Sequence, residues 1–214
     1  MIRVVNSSDY EDVIRIWSSA FGDTREYILK FLKKFSEFVY ILDNDAIMTL
    51  LPVTLNEKNG HYIYAVAVDE NKRNKGLGRK LIEFAKEIKE DFLVLVPADE
   101  GLFEYYKKLG FTENSRLGKY ETKSFEEKIC AKEYFELRDK FFDGKDYIKW
   151  SVEQLFNIAD LYKAEFYKSK DEIAMLSKNR VLEYLGKDEP ILEKPFSMIF
   201  PNDYKNSYFN IAID

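Results

Sequence analysis

The sequence predicts an α/β fold in which strands alternate with amphipathic helices, and three adjacent features predict it. Residues 61–68 form an alternating apolar run rich in aromatic and β-branched side chains, which is typical of a strand. A turn over residues 73–78 carries two glycines. Leu81, Ala85 and Ile88 then recur at helical spacing. A strand leading through such a turn into a helix indicates a phosphate site, because the helix N-terminus offers unpaired N–H groups and partial positive charge.

The elements before this turn follow from local signals. A short strand over residues 2–5 precedes a helix that runs through Trp17 and Phe21, and Ser8-Asp9-Tyr10-Glu11 has the pattern of its capping box. Thr24 is positioned to cap a second helix. The apolar side of that helix holds Ile28, Leu29, Leu32 and Phe35. Strands are predicted over residues 38–42 and 47–55, with a turn at 43–45, an edge or bulge at Pro52 and a hairpin at Asn59-Gly60.

After the glycine turn, the pattern continues with a strand, a helix and a strand. Residues 92–96 are a short apolar run of the buried-strand type, and a helix is predicted over residues 102–109. Gly110 is expected to end that helix in a left-handed conformation, with Phe111 starting the next strand. The predicted order of residues 1–120 is therefore β-α-α-β-β-β-α-β-α-β.

Two motifs carry a resemblance to a known family. The string Arg73-Asn74-Lys75-Gly76-Leu77-Gly78 reads R-x-x-G-x-G, which is neither G-x-G-x-x-G nor a Walker A motif. It resembles the coenzyme A pyrophosphate loop of the GNAT superfamily of N-acetyltransferases. The segment 105–111 resembles that family's Y-Y-x-x-x-G-F string, in the expected order. The resemblance implies a mixed, mostly antiparallel sheet flanked by helices over residues 1–120, with acetyl-coenzyme A as acyl donor and no metal.

The resemblance also implies roles for particular residues. Diphosphate binding falls to the loop residues Arg73, Asn74, Lys75, Gly76, Leu77, Gly78 and Arg79. Backbone groups of the strand residues Val66, Ala67 and Val68 would bind the pantetheine arm like an added strand. One of these N–H groups would stabilise the oxyanion. Tyr106 would protonate the departing thiolate, since a phenol with a pKa of about 10 keeps its proton at neutral pH.

The residue that takes the proton from the amine is not evident. Many GNAT enzymes place a glutamate on the central strand, but residues 61–68 hold no carboxylate. His61 lies at the outer end of that strand, where a structural or solvated role is the simpler interpretation. Asp23, Asp99 and Glu100 remain alternatives for attracting a cation or relaying a proton through water. A further hypothesis brings the chain end at Asp214 back to the acceptor side.

Composition narrows the class of protein. The chain has 214 residues and a net charge of -5, so nucleic-acid binding has no electrostatic support. No apolar stretch approaches the roughly 18 residues of a membrane span, and the N-terminus has no signal-peptide pattern. The single cysteine, Cys130, suits a reducing compartment. We therefore expect a cytoplasmic protein without nucleic-acid or membrane partners, and a homodimer remains open.

Residues 121–214 are predicted to form an accessory C-terminal domain, with helices followed by strands. Ser151 to Gln154 forms a capping box for a helix whose apolar face extends to Phe166. A second helix is expected to open at residues 169–172 and to stop near Gly186. Strands are predicted over 196–200 and 208–213, which leaves a degenerate second copy of the fold open.

Two functions follow from the sequence as a whole. The favoured one is an acetyl-coenzyme A-dependent N-acetyltransferase that acts on a small-molecule or peptide amine by direct transfer. The alternative is a non-catalytic acyl-coenzyme A-binding sensor or scaffold.

Overall fold

The computed structural model describes residues 1–119, 124–143, 147–178, 180–186 and 192–200. The chain divides into two compact units. Unit 1 comprises Met1–Val53 and Lys58–Leu95, and unit 2 comprises Thr54–Glu57 and the chain from Val96 onward. The domain boundary predicted near residue 120 falls outside the described residues and stays a prediction.

Unit 1 holds five strands and three α-helices in its described residues. The elements are β1 (Ile2–Val4), α1 (Tyr10–Phe21), α2 (Arg25–Phe35), β2 (Val39–Leu42), β3 (Ala46–Leu55), β4 (Lys58–Val68), α3 (Leu77–Ile88) and β5 (Phe92–Leu95). The strands are ordered β1-β2-β3-β4-β5 in the sheet. β1 and β2 are antiparallel, as are β2 and β3, whereas β4 and β5 are parallel. The mixed sheet and the predicted element order are confirmed.

Each α-helix of unit 1 buries one side against the core. Trp17, Phe31 and Leu32 have no exposed surface, because the apolar positions of α1 and α2 recur at helical spacing. Thr24 caps α2 as predicted, its Oγ1 accepting the Tyr27 N–H at 3.2 Å. Leu29, expected on the apolar side, is instead 37% exposed.

The capping box before α1 is formed by residues other than those predicted. Asn6 Oδ1 accepts the Ser8 N–H, and Asp9 accepts the Asn6 N–H at 2.8 Å. The box opens a short 3₁₀ turn, Ser7–Asp9, that precedes α1. The prediction of Ser8 and Glu11 was wrong because the chain begins to turn before the α-helix itself starts.

The predicted hairpin at Asn59-Gly60 was also misplaced. β3 ends at Leu55 and β4 begins at Lys58, so the turn lies at Asn56, whose φ is +55°. Gly60 lies inside β4 opposite Phe92, and a Cβ there would come within 2.6 Å of the Phe92 ring. The glycine is therefore required for close packing of the parallel pair.

Unit 2 contains the remaining elements. They are α4 (Glu100–Lys108), β6 (Thr112–Lys119), β7 (Glu127–Ile129), α5 (Ala131–Phe141), β8 (Ile148–Lys149), α6 (Val152–Tyr162), β9 (Glu165–Ser169), β10 (Glu172–Ser177), β11 (Arg180–Leu185) and β12 (Leu192–Phe200). β6 and β12 pair antiparallel, and Thr54 and Leu55, the two residues of β3 that belong to unit 2, pair with β8. A second, antiparallel sheet has the order β11-β10-β9-β7.

The helix predicted from residues 169–172 to Gly186 is wrong. Residues 170–171 form the turn between β9 and β10, and Ile173 pairs with both Lys168 and Leu185. The Ser151–Gln154 capping box is confirmed, but α6 ends at Tyr162 and Phe166 lies in β9. There Phe166 packs against Tyr134 of α5, with ring centroids 4.8 Å apart. The strand predicted over 208–213 and the hypothesis on Asp214 lie outside the described residues.

None of the helices in the described ranges is long and apolar enough to cross a membrane.

Candidate functional site

The glycine turn joins β4 to α3 through backbone conformations that expose the start of the helix. Asn74 and Gly76 are both left-handed, with φ of +61° and +75°. Gly76 is the N-cap of α3, and no side chain among the described residues caps the helix there. A Cβ on Gly76 would meet no described atom within 4 Å. The first N–H groups of α3 have no intrahelical acceptors and are available to an anion.

The side chains around this turn add positive charge. Arg73, Lys75, Arg79 and Lys80 are exposed, and Lys72 precedes them at intermediate exposure. The Arg73 guanidinium reaches back to the Val68 carbonyl, with an Nε to O distance of 3.4 Å. Cations beside a helix N-terminus strengthen its attraction for phosphate. The sequence-predicted residues of the loop are thus brought together as one basic, glycine-bearing segment.

The strand that leads into the loop is distorted just before it. Ala65 has φ of +52°, a left-handed conformation that is rare for a residue inside a strand. The parallel register between β4 and β5 ends at Ile63 opposite Leu95. Val66, Ala67 and Val68 therefore continue past the last pair of that ladder. Their backbone groups on the β5 side can pair with an extended ligand.

An aromatic cluster lies beside this distorted strand. The ring centroid of Tyr64 is 5.6 Å from that of Trp17 and 5.5 Å from that of Phe31. The Tyr64 hydroxyl is 3.5 Å from the Tyr27 hydroxyl. Trp17 Nε1 donates a 2.8 Å hydrogen bond to Asp23 Oδ2, in the loop between α1 and α2. The cluster thus connects the strand to a carboxylate on the α1–α2 loop.

Tyr106 lies in α4, in unit 2, and is 8% exposed. Its ring packs against Phe111 and Tyr105, with centroid distances of 5.7 and 5.2 Å. Burial, with a smaller contribution from Tyr105, raises the pKa of the Tyr106 phenol. Gly110 has φ of +90°, which confirms the predicted left-handed end of the helix. Tyr106 therefore remains a proton donor throughout the neutral range.

The alternative proton acceptors lie in different settings. Asp99 caps α4 by accepting the Leu102 N–H at 2.9 Å, which gives it a structural task. His61 is half-buried in β4, and its Nδ1 is buried without a hydrogen-bond partner among the described residues. Burial lowers the His61 pKa, while Glu90 acts in the opposite direction. Asp23 combines partial exposure with a fixed carboxylate oxygen.

Two further residues at the foot of the loop were not found from the sequence. Asp69 follows β4 directly, and its Oδ1 accepts the Asn71 N–H at 2.9 Å. Arg15 of α1 forms an ion pair with Asp69 Oδ2. An acidic residue between a strand and a basic loop was the available signal. No signal in the sequence indicated the pairing of Asp69 with Arg15, because the two residues are distant in the chain.

The described ranges contain no group of three or more His, Cys, Asp or Glu side chains that could hold a metal ion.

Part of the chain matches a known family model. Residues 35–113 match the family model of the acetyltransferase (GNAT) domain, a range that includes the loop, the distorted strand and Tyr106. No curated protein sequence matches the chain.

Solved structures agree on the fold. A GCN5-related N-acetyltransferase from Kribbella flavida aligns with 93% of this chain and 71% of its own, at 12% identity and a TM-score of 0.68. A candidate acetyltransferase from Pyrococcus horikoshii aligns with 99% of this chain and 92% of its own, at 15% identity and a TM-score of 0.65. At these identities the likeness shows the fold alone.

Proposed function

We propose that the chain is an acetyl-coenzyme A-dependent N-acetyltransferase acting on a small-molecule or peptide amine by direct transfer, since residues 35–113 match the model of the acetyltransferase (GNAT) domain. The observation that carries the proposal is the left-handed Gly76 at the start of α3, in the loop that follows β4, a strand that extends past its last residue pair with β5. The N-terminus of α3 offers N–H groups to a diphosphate, and the end of β4 offers backbone groups to the extended pantetheine arm.

Donor binding is assigned to unit 1. The amides of residues 74–78 bind the diphosphate, with Arg73, Lys75 and Arg79 supplying positive charge. The pantetheine arm adds to the edge of β4 at Val66, Ala67 and Val68. A backbone N–H of this segment stabilises the oxyanion that forms from the thioester carbonyl.

The transfer itself needs one bond made and one broken. The amine nitrogen attacks the thioester carbonyl carbon, and the carbon–sulfur bond breaks as the tetrahedral intermediate collapses. Tyr106 gives its proton to the leaving thiolate, a task for which a buried, protonated phenol is suited. The amine loses a proton, and the products are the amide and free coenzyme A.

Deprotonation of the amine is the step for which residues 61–68 of β4 offer no carboxylate. An alkyl ammonium has a pKa of about 10.4, so its proton must leave before attack. Asp23 is our candidate for attracting the ammonium and passing its proton to water, because its carboxylate is fixed beside the aromatic cluster. The absence of a carboxylate from residues 61–68 favours the alternative, a non-catalytic acyl-coenzyme A sensor or scaffold.

A thiol-release assay separates the two functions. Purified protein is incubated with acetyl-coenzyme A and a panel of small amines and peptide N-termini, and free thiol is measured against an amine-free control. Amine-dependent thiol release equal to the amide formed supports the transferase. Saturable acetyl-coenzyme A binding without release for any amine would favour the sensor.

We assign the protein to the cytoplasm, on the basis of its single cysteine and its composition.

A further inference from the structure

Arg15 connects three separate parts of unit 1. Its Nη2 donates to Asp12 Oδ1 at 2.9 Å, within α1, and to the Asn44 carbonyl at 3.0 Å, in the β2–β3 turn. Its Nη1 pairs with Asp69 Oδ2, at the end of β4. One guanidinium therefore holds α1, a tight turn and the foot of the glycine loop together.

Asp69 and Asp45 form the other half of this arrangement. The Asp69 side chain is 12% exposed and divides its oxygens between Arg15 and the Asn71 N–H. The Asp69 N–H donates to the Asp45 carbonyl at 2.8 Å, and Asp45 Oδ2 lies 3.4 Å from Lys72 Nζ. Asp69 is thus paired with Arg15, which it shares with Asp12, and Asp45 is paired with Lys72.

These pairings matter because the loop is proposed to bind a diphosphate. A partly buried carboxylate at the base of an anion site repels the ligand unless a cation cancels its charge. Arg15, although shared with Asp12, offsets the charge of Asp69 while the Asp69 side chain orders the 3₁₀ turn, Glu70–Lys72, that leads into the loop. The same carboxylate can therefore shape the anion site without opposing the anion.

We propose that Arg15 is a positioning residue for the donor: by neutralising Asp69 and tying it to α1, it makes the loop competent to bind the diphosphate of acetyl-coenzyme A. This inference rests on the proposed function. It assigns to a helix outside the loop a part in donor affinity, and it predicts that the effect of Arg15 depends on the charge of Asp69.

The test compares two acyl donors and a double-mutant cycle. The donors are acetyl-coenzyme A and S-acetyl-pantetheine, which lacks the diphosphate. Arg15→Gln removes the cation, Asp69→Asn keeps an oxygen for the Asn71 N–H but removes the charge, and Arg15→Lys restores a cation. Arg25→Gln, which breaks the exposed Arg25–Glu11 pair, is the matched control for losing an arginine ion pair.

Arg15→Gln is expected to raise the Kd of acetyl-coenzyme A roughly 5- to 30-fold, with kcat at saturation and the kcat/KM of S-acetyl-pantetheine nearly unchanged. Combining it with Asp69→Asn should return the Kd to within about 3-fold of wild type, and Arg15→Lys should restore most of the affinity. Arg25→Gln should leave the Kd unchanged.

Three results would overturn the inference: an unchanged Kd for Arg15→Gln, equal losses with both donors, or a double variant as weak as Arg15→Gln alone. These are separable from failure of the proposed function. If the wild-type protein binds acetyl-coenzyme A no better than S-acetyl-pantetheine, the diphosphate site itself is wrong.

Discussion

The indole N–H of Trp17 donates a 2.8 Å hydrogen bond to Asp23 Oδ2, and this fixes a carboxylate at the loop between α1 and α2. Trp17 is completely buried, so its N–H needs an acceptor in the folded protein. A neutral carbonyl would meet that need. The negative charge of Asp23 is therefore available for a second task, and Phe21 beside it is 47% exposed.

Asp23→Asn tests that second task. The amide oxygen can still accept the Trp17 hydrogen bond, so the melting temperature and acetyl-coenzyme A affinity should stay close to wild type. For an acceptor carrying an ammonium group, KM should rise roughly 10-fold or more, because the attraction of the carboxylate is lost. An aromatic amine that is uncharged at neutral pH should be acetylated as before.

Asp23→Ala is the structural counterpart of this variant. It leaves the Trp17 N–H without its acceptor and should lower stability by about 1–3 kcal/mol. If Asp23→Asn affects cationic and uncharged amines alike, the carboxylate has no role in recognising the ammonium.

Tyr106→Phe tests the general acid. The variant keeps the ring that packs on Phe111 and removes the hydroxyl, so kcat should fall roughly 10- to 1000-fold with little change in acetyl-coenzyme A affinity. Tyr105→Phe, at the neighbouring position, should be much milder. Because the pKa of Tyr106 is raised, deprotonation of this residue should not limit the rate up to about pH 10. Equal effects of the two substitutions would remove the role of Tyr106.

A buried ion pair in unit 2 makes a prediction about stability. Arg138 Nε donates to both oxygens of Glu183, at 3.1 and 3.0 Å, and Tyr134 donates to Oε2 at 2.7 Å. The two charged side chains are only 2% and 1% exposed. Glu183→Gln should lower the unfolding free energy by about 3–5 kcal/mol, because it leaves the Arg138 charge without its counter-ion.

The matched control replaces both charges with apolar side chains, as in Arg138→Met with Glu183→Leu. Since a buried pair pays a large desolvation cost, the double variant should be less destabilised than Glu183→Gln alone. Urea denaturation of both variants measures the difference. A double variant that is the less stable of the two would show that the ionic pair itself stabilises unit 2.

Asp9 makes a prediction about pH. Arg3 donates to its two oxygens at 2.6 and 2.7 Å, and these bonds lower the Asp9 pKa from 3.8 to about 2. A depressed carboxyl pKa adds stability that is fully present above the unfolded value and is lost as the pH falls through the folded value. Asp9→Asn should therefore melt several degrees below wild type at pH 7. The gap should narrow between pH 4 and about pH 2, as followed by circular dichroism.

The parts of the fold that the sequence predicted depend on local signals. The helical spacing of Leu81 and Ala85, the cap at Thr24 and the left-handed Gly110 each act within a few residues, and each is found in the structure. The glycine loop was predictable for the same reason. Its conformation depends on residues that are adjacent in the chain.

The parts that were wrong depend on distant partners. Residues 169–172 resemble a helix cap, yet pairing of Ile173 with Lys168 and Leu185 makes them a turn between strands. Asn59-Gly60 resembles a hairpin, but packing on Phe92 decides the role of Gly60. Local propensity is overridden in both cases by tertiary contacts. The same holds for the Arg15–Asp69 pair, which no short stretch of sequence could reveal.

Calorimetric titration of acetyl-coenzyme A into wild type, Gly76→Glu and Gly22→Glu tests the central claim most directly. Gly76 and Gly22 both have φ of +75°, and an added Cβ meets no described atom within 4 Å at either position, so both variants carry the same backbone strain. The account predicts saturable binding to wild type and to Gly22→Glu, with none to Gly76→Glu, whose carboxylate would meet the diphosphate. Absence of binding to the wild-type protein at roughly 1 mM ligand, or unchanged binding to Gly76→Glu, would contradict it.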